Sequence, residues 1–203
     1  MIRRAIVIAS LAGLGACVQI WPEPAPAPDI FRLEPGPPGF DAPMRPDLIV
    51  SVREPVTSKE LAGAQLVMQQ PGGRVAYLAR AEWTDAAPAL LQTLWIATLE
   101  RSGKIKAGVR STEGVRATCD LAWDLHAFDG LEAEGGDLSA HIAFSVRAID
   151  PQTRQVRAQR RFESSIPSQR NRTSIAAKLG EAARTALAQA SAWVLIDGCP
   201  TAG

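Results

Sequence analysis

Three successive segments of this chain alternate apolar and polar residues with a period of two. They are "TCDLAWDLHAF" (118–128), "LSAHIAFSVRAID" (138–150) and "RQVRAQRRFESSI" (154–166). Side chains of a strand point alternately to opposite faces, so this pattern demands antiparallel strands with one apolar and one solvated face. The inward sets are Cys119, Leu121, Trp123, Leu125 and Ala127; Ile142, Phe144, Val146 and Ala148; and Val156, Ala158, Phe162 and Ile166. Asp120, Asp124 and His126 lie on the other face of the first segment, and Arg157, Gln159, Arg161 and Glu163 on that of the third. A sheet with one greasy face has to bury it against another layer.

Two segments supply that layer. In "TDAAPALLQTLWIATLERSG", Leu91, Leu94, Trp95, Thr98 and Leu99 recur at helical spacing, Thr84 or Asp85 stands at the N-cap, and Gly103 is the stop. In "TSIAAKLGEAARTALAQASAWVLI", Ile175, Leu179, Ala182, Ala183, Ala186, Leu187, Ala190, Trp193 and Val194 keep the same period, and the alanines let the helix lie close to a sheet. Before the first helix, "LIVSV" (48–52) reads as a buried strand, and "AQLVMQQ" and "RVAYLARAEW" as a hairpin about "PGG". Val75, Tyr77, Ala79, Ala81 and Trp83 fall on one face of its second strand, and "KIKAGVR" is a short strand after the helix. The predicted fold is α/β, a two-layer sandwich. Its sheet is mixed and mostly antiparallel, of about five to six strands, with two main helices packed on it.

The N-terminus has a different logic. Arg3 and Arg4 precede an uncharged apolar run, Ala5 to Leu14, of signal-peptide length and too short to span a bilayer. Leu14-Gly15-Ala16-Cys17 follows and resembles the bacterial lipobox. That resemblance makes residues 1–16 a lipoprotein signal peptide and Cys17 the lipid attachment site. More than one acyl chain is needed for stable anchoring, which a triacylated cysteine provides. Val18 stands where an Asp would resemble the inner-membrane retention signal, which favours the outer membrane facing the periplasm. Residues 17–46 read as the lipidated cysteine and a proline-rich tether, holding nine of the chain's 15 prolines. Proline favours an extended path, about 3.1 Å per residue, so such a tether reaches on the order of 90 Å. Within it, Phe31 and Leu33 are candidates for a short strand pinning the tether to the domain. Residues 47–197 form the domain and 198–203 a tail.

Loss of residues 1–16 leaves 20 basic against 21 acidic residues, a net charge of −1. That balance gives no electrostatic footprint for nucleic acid. Cys119 and Cys199 are an even pair for an oxidising compartment; a disulfide and two separate buried thiols are both open. No cofactor or metal is indicated: the two histidines, His126 and His141, lack ligand spacing. Gly72-Gly73 opens a strand where a phosphate loop would open a helix. Asp120 and Asp124 could serve acid–base chemistry, but Arg157 and Arg161 are expected to pair with them across strands as a charge ladder.

One long stretch resembles a known family. Tyr77, Ala81-Glu82-Trp83, Pro88-Ala89-Leu90-Leu91-Gln92 and Leu99-Glu100-Arg101-Ser102-Gly103 follow in order, and "RRFESSIP" and the Ala-rich last helix agree. The pattern resembles the ABC-type transport auxiliary lipoprotein family, the PqiC-like proteins. Phe31-Arg32-Leu33 departs from the Tyr-x-Leu frequent there. The resemblance implies no catalytic residues. It implies an accessory of MCE-type ABC systems that move lipid between inner and outer membranes. The implied partners are an MCE-domain substrate-binding protein, a permease and an ATPase, and homo-oligomerisation stays open. A lipid-anchored hydrolase and a lipid-binding carrier are the alternatives. The carrier needs a cavity that Trp83, Trp95, Trp123 and Trp193 are expected to fill. With no pocket chemistry, candidate partner surfaces are the polar sheet face at Arg157 and Arg161, the hairpin tip beside Tyr77, and the tether.

Overall fold

A computed structural model describes residues 26–37 and 39–199. The signal segment and Cys17 lie outside the described residues. A single sheet of nine strands is backed on one face by two helices. The strands are β1 (Asp29–Phe31), β2 (Arg45–Val52), β3 (Val56–Thr57), β4 (Gln65–Gln70), β5 (Arg74–Trp83), β6 (Ile105–Arg110), β7 (Cys119–Glu132), β8 (Leu138–Ile149) and β9 (Val156–Pro167). The helices are α1 (Ala87–Arg101), between β5 and β6, and α2 (Arg172–Trp193), after β9.

β7 is the axis of the sheet. One edge carries β8 and then β9, in the two long antiparallel ladders that the period-2 segments require. The other edge carries three short strands in succession, all parallel to it: β2 at Cys119–Leu121, β3 at Asp124–Leu125 and β4 at Asp129–Leu131. β6 lies outside β2, β5 outside β4, and β1 outside β5. The sheet is mixed as expected. It has more strands than expected because β1 and β3 are too short to leave a periodic trace.

Bulges change the phase of three strands. His126 is an extra residue of β7 between the pairs Leu125–Phe144 and Ala127–Ala143. Beyond it the inward position passes to Phe128, which is 2% exposed and stacks on Trp83 at 5.4 Å. On β5, four residues (78–81) stand against Leu66 alone, and Arg80 takes a left-handed φ of 56°. Ala81 and Trp83 are therefore buried, whereas Val75 and Tyr77, expected on the same face, are half exposed. Each bulge adds residues to one strand only, and so moves its side chains to the other face.

Helix α1 buries Leu91, Leu94, Trp95 and Leu99. Its N-cap is Ala86, one or two residues later than expected; the Asp85 carboxylate accepts the Ala86 N–H at 2.7 Å from outside the helix. Helix α2 is capped by Asn171, whose Oδ1 accepts the Ser174 N–H at 2.8 Å. Between helices and sheet runs a chain of rings: Trp95, Trp123, Phe144, Phe162 and Trp193, with successive centroids 4.8 to 5.7 Å apart. The buried indole N–H of Trp95 donates to Ser191 Oγ at 3.1 Å, and that of Trp123 to the Arg53 carbonyl at 2.7 Å. The tryptophans fill the space a carrier would have to leave open.

Part of the proline-rich segment is docked on the domain. β1 pairs with β5, Leu33 is buried, and Lys104 donates to the Ala42 carbonyl at 2.7 Å. Phe40 and Ala42 pack against the core. Eleven residues, 18–28, thus separate Cys17 from β1. Even fully extended they reach about 40 Å, at roughly 3.6 Å per residue, well short of the reach read from the sequence.

Cys119, the first residue of β7, is bonded to Cys199, which follows the wide turn Val194–Gly198 at the end of α2. The bond closes a loop across 80 residues of sequence. A cross-link of that span constrains the unfolded chain by about 4 to 5 kcal/mol on the chain-entropy model. Non-reducing mass spectrometry of the isolated protein is expected to find the Cys119–Cys199 linkage, and Cys199→Ser to lower the unfolding free energy by roughly 2 to 5 kcal/mol. Two free thiols in fresh material would contradict the pairing.

Candidate functional site

The helices cover one face of the sheet, and the other face carries the polar residues of the alternating strands. Across it runs one row of five strands: Tyr77 on β5, Val67 on β4, Asp129 on β7, His141 on β8 and Ser165 on β9. At its centre lies a group that single-strand periodicity does not reveal. Asp129 is 5% exposed, and His141 Nδ1 stands 3.8 Å from its Oδ1. Both atoms are buried without a hydrogen-bond partner. His141 Nε2 meets Glu163 Oε1 at 3.0 Å, and Arg161 reaches the other oxygen of Glu163 at 3.4 Å. The imidazole thus lies between two carboxylates. Asp129 first, then Glu163, push its pKa above the ordinary value, against the opposing effect of burial. His141 in turn holds Glu163 below the usual carboxylate range. The bulge at His126 hides this arrangement from the sequence, because it puts Asp129 on the face that Asp120 and Asp124 began.

The expected charge ladder exists with other partners. β8 separates β7 from β9, so Arg157 and Arg161 cannot reach Asp120 and Asp124. Asp120 pairs with Arg53 and accepts the Ser51 hydroxyl at 2.9 Å; Asp124 pairs with Arg147 at 2.6 Å. Arg157 is the unpaired residue of a bulge between the pairs Ala148–Ala158 and Ile149–Val156, and its guanidinium holds Asp150 at 2.5 Å. That contact, with the N–H groups of Gln152 and Thr153, pulls the Asp150 pKa down to about 2. Arg157 therefore closes the β8–β9 turn, and Arg161 is the freer of the two. Asp120 and Asp124 are both engaged by arginines. His126 faces the Ser145 hydroxyl at 2.9 Å.

Tyr77 and Arg161 share the polar face but stand four strands apart, about 19 Å at ~4.8 Å per strand. They do not form one site. Two open grooves flank the sheet. One, of 480 Å³, lies along the free edge of β9 between Arg160 and Arg161 and the α2 end at Trp193 and Ile196. The other, of 600 Å³, lies beside β5, floored by Met68, Ala76 and Leu78 under Ile175. Among the described residues, no group of three His, Cys, Asp or Glu is placed to hold a metal ion. No helix there is long and apolar enough to cross a membrane.

A raised pKa means the folded state binds the His141 proton more tightly than the unfolded chain does. The associated stability is fully present below the unfolded value of about 6.5 and is lost as pH rises through the higher folded value. The stability gap between the native protein and His141→Gln is therefore expected to be larger at pH 5.5 than at pH 9. Urea unfolding at the two pH values checks this, and a gap of constant size would contradict it.

Comparison with known proteins agrees with this surface-dominated architecture. A family model described as the ABC-type transport auxiliary lipoprotein component matches residues 31–192, from the last residue of β1 to the end of α2. No curated protein sequence matches the chain. Among solved structures, a Xanthomonas campestris protein of the DUF330 family aligns at 21% identity with a TM-score of 0.76, over 82% of this chain and 94% of that one. A protein titled only as uncharacterized aligns at 15% identity with a TM-score of 0.61, over 84% and 97%. At these identities the structural likeness establishes the fold alone. Family membership rests on the match that spans the sheet and both helices: this chain belongs to the ABC-type transport auxiliary lipoprotein family, as a membrane-anchored accessory of a transport system in the cell envelope.

Proposed function

We propose that the protein is a non-enzymatic lipoprotein of the outer membrane, facing the periplasm, and serves an MCE-type ABC system that moves lipids between the inner and outer membranes. Its lipid anchor is Cys17. Its direct partner is the MCE-domain substrate-binding protein, and through it the permease and ATPase of the same system. The family match over residues 31–192 carries this reading. The packed interior supports it: Trp95 and Trp123 are 0% and 1% exposed, leaving the domain to act through its surface. The lipobox at Leu14–Cys17 supports the envelope location.

Arg161 is the residue of choice for testing the docking face. It projects from the edge strand β9, its side chain is 58% exposed, and its one ion pair among the described residues is with the similarly exposed Glu163. Arginine is enriched at protein interfaces, where its planar fork recognises carboxylates and carbonyls. Exposed pairs of this kind contribute about 0 to 1 kcal/mol, so Arg161→Glu is expected to stay folded. Arg157→Glu is a poorer probe, since it would also open the β8–β9 turn. Affinity purification of the Arg161→Glu lipoprotein from envelopes is expected to lose the MCE-domain protein while the melting temperature holds. Wild-type recovery of that partner would remove the β9 face from consideration.

A further inference from the structure

We propose that the end of the domain formed by the β4–β5 hairpin rests against the bilayer that carries the anchor, with Val75 and Tyr77 at the lipid interface. This rests on the lipoprotein reading of Cys17. The first observation is the direction in which the chain leaves the fold. β1 runs parallel to β5 with Asp29 opposite Ala81 and Phe31 opposite Trp83. The chain therefore enters β1 from the side of the sheet where Arg74 and the Pro71–Gly73 tip lie. The exit is clamped: Arg172 Nε donates to Asp29 at 2.7 Å, the Thr84 N–H donates to the Phe31 carbonyl at 2.9 Å, and Leu33 is buried.

Length agrees with direction. At roughly 3.3 Å per residue, the tip lies about 15 Å from Asp29 along the strands, and the opposite end of β7 about 30 Å away. Eleven residues reach at most about 40 Å. That reach is enough to take the anchor past the hairpin tip. To bring the other end to the membrane they would have to reverse direction and spend most of their reach.

The chemistry of the hairpin end fits a lipid interface. Val75 and Tyr77 are 51% and 49% exposed, turned outward by the bulge at Arg80. Tyr77 is the chain's single tyrosine, a side chain with an apolar ring and a polar tip suited to the headgroup level. Next to them opens the groove floored by Met68, Ala76 and Leu78. Charge at this end nearly cancels: Arg74, Arg170 and Arg172 stand against Asp29, Glu132, Glu134 and Asp137, with Arg170 paired to Glu132 at 2.8 Å and Arg172 to Asp29. The contact is therefore apolar and insensitive to salt. The same orientation turns the β8–β9 end of the sheet away from the membrane.

The test uses the full lipidated protein in vesicles of phosphatidylethanolamine and phosphatidylglycerol that contain a doxyl-lipid quencher near the headgroup. With Cys17 acylated and Cys119 bonded to Cys199, one introduced cysteine is the sole labelling site. A fluorophore at Arg74→Cys, beside the tip, is expected to be quenched several-fold more than one at Gln155→Cys in the opposite turn, at low and high salt alike. Equal quenching, or stronger quenching at 155, would overturn the orientation. Adding Val75→Ser and Tyr77→Ser is expected to lower quenching at 74 while the anchor still holds the protein on vesicles. Unchanged quenching would overturn the contact. A Cys17→Ser control separates the premise: release from membranes with loss of lipid labelling upholds the anchor, and an unlabelled wild type that still binds membranes refutes it whatever the quenching shows.

Discussion

Everything in this domain is measured along β7. Its 14 residues pair on one edge with β8 and on the other with β2, β3 and β4 in turn. Every backbone hydrogen-bonding group in a buried sheet needs a partner, so the register of this one strand fixes where four others sit. Its first residue is tied by the disulfide to the end of α2, which aligns the long helix with the sheet it covers. Its bulge at His126 rotates the second half, so that Phe128 joins Trp83 in the core and Asp129 faces His141. A shift of one residue in β7 would exchange the buried Leu121, Trp123 and Leu125 for Ala122, Asp124 and His126, two of which the aromatic core cannot accept.

The sequence displays the parts of this fold that repeat. β8 and the two helices alternate or recur over ten residues or more, and their buried sets match the expected ones: Ile142, Phe144, Val146 and Ala148 on β8, Leu91 and Trp95 on α1, Leu179 and Ala186 on α2. The parallel half of the sheet is not displayed. β3 has two residues, and periodicity carries no information about strand direction. Phase changes are equally silent. Tyr77 belongs to an unbroken run of alternation in the sequence, and the extra residues around Arg80 decide that it stays outside while Ala81 and Trp83 go in.

The candidate surface shows the same division. That Arg157 and Arg161 share one strand follows from their segment; that the strand is an edge follows only from the pairing. That they pair with Asp150 and Glu163, leaving Asp120 and Asp124 to Arg53 and Arg147, depends on strand order. The Asp129–His141–Glu163 group is assembled from three strands and becomes visible only once the register is known. The proposed anchor, Cys17, is the converse case: it rests on a local motif and not on packing. A tightly filled core and an arginine-bearing edge support the proposal of a device that works by contact at the envelope.

The central claim is that this contact is made with a protein of the transport system through the polar face near β9. A photoreactive residue in place of Gln159, exposed on that strand, tests it in living cells. Irradiation is expected to trap a single heterologous adduct whose partner is the MCE-domain protein. No adduct, or adducts only between copies of this chain, would contradict the account.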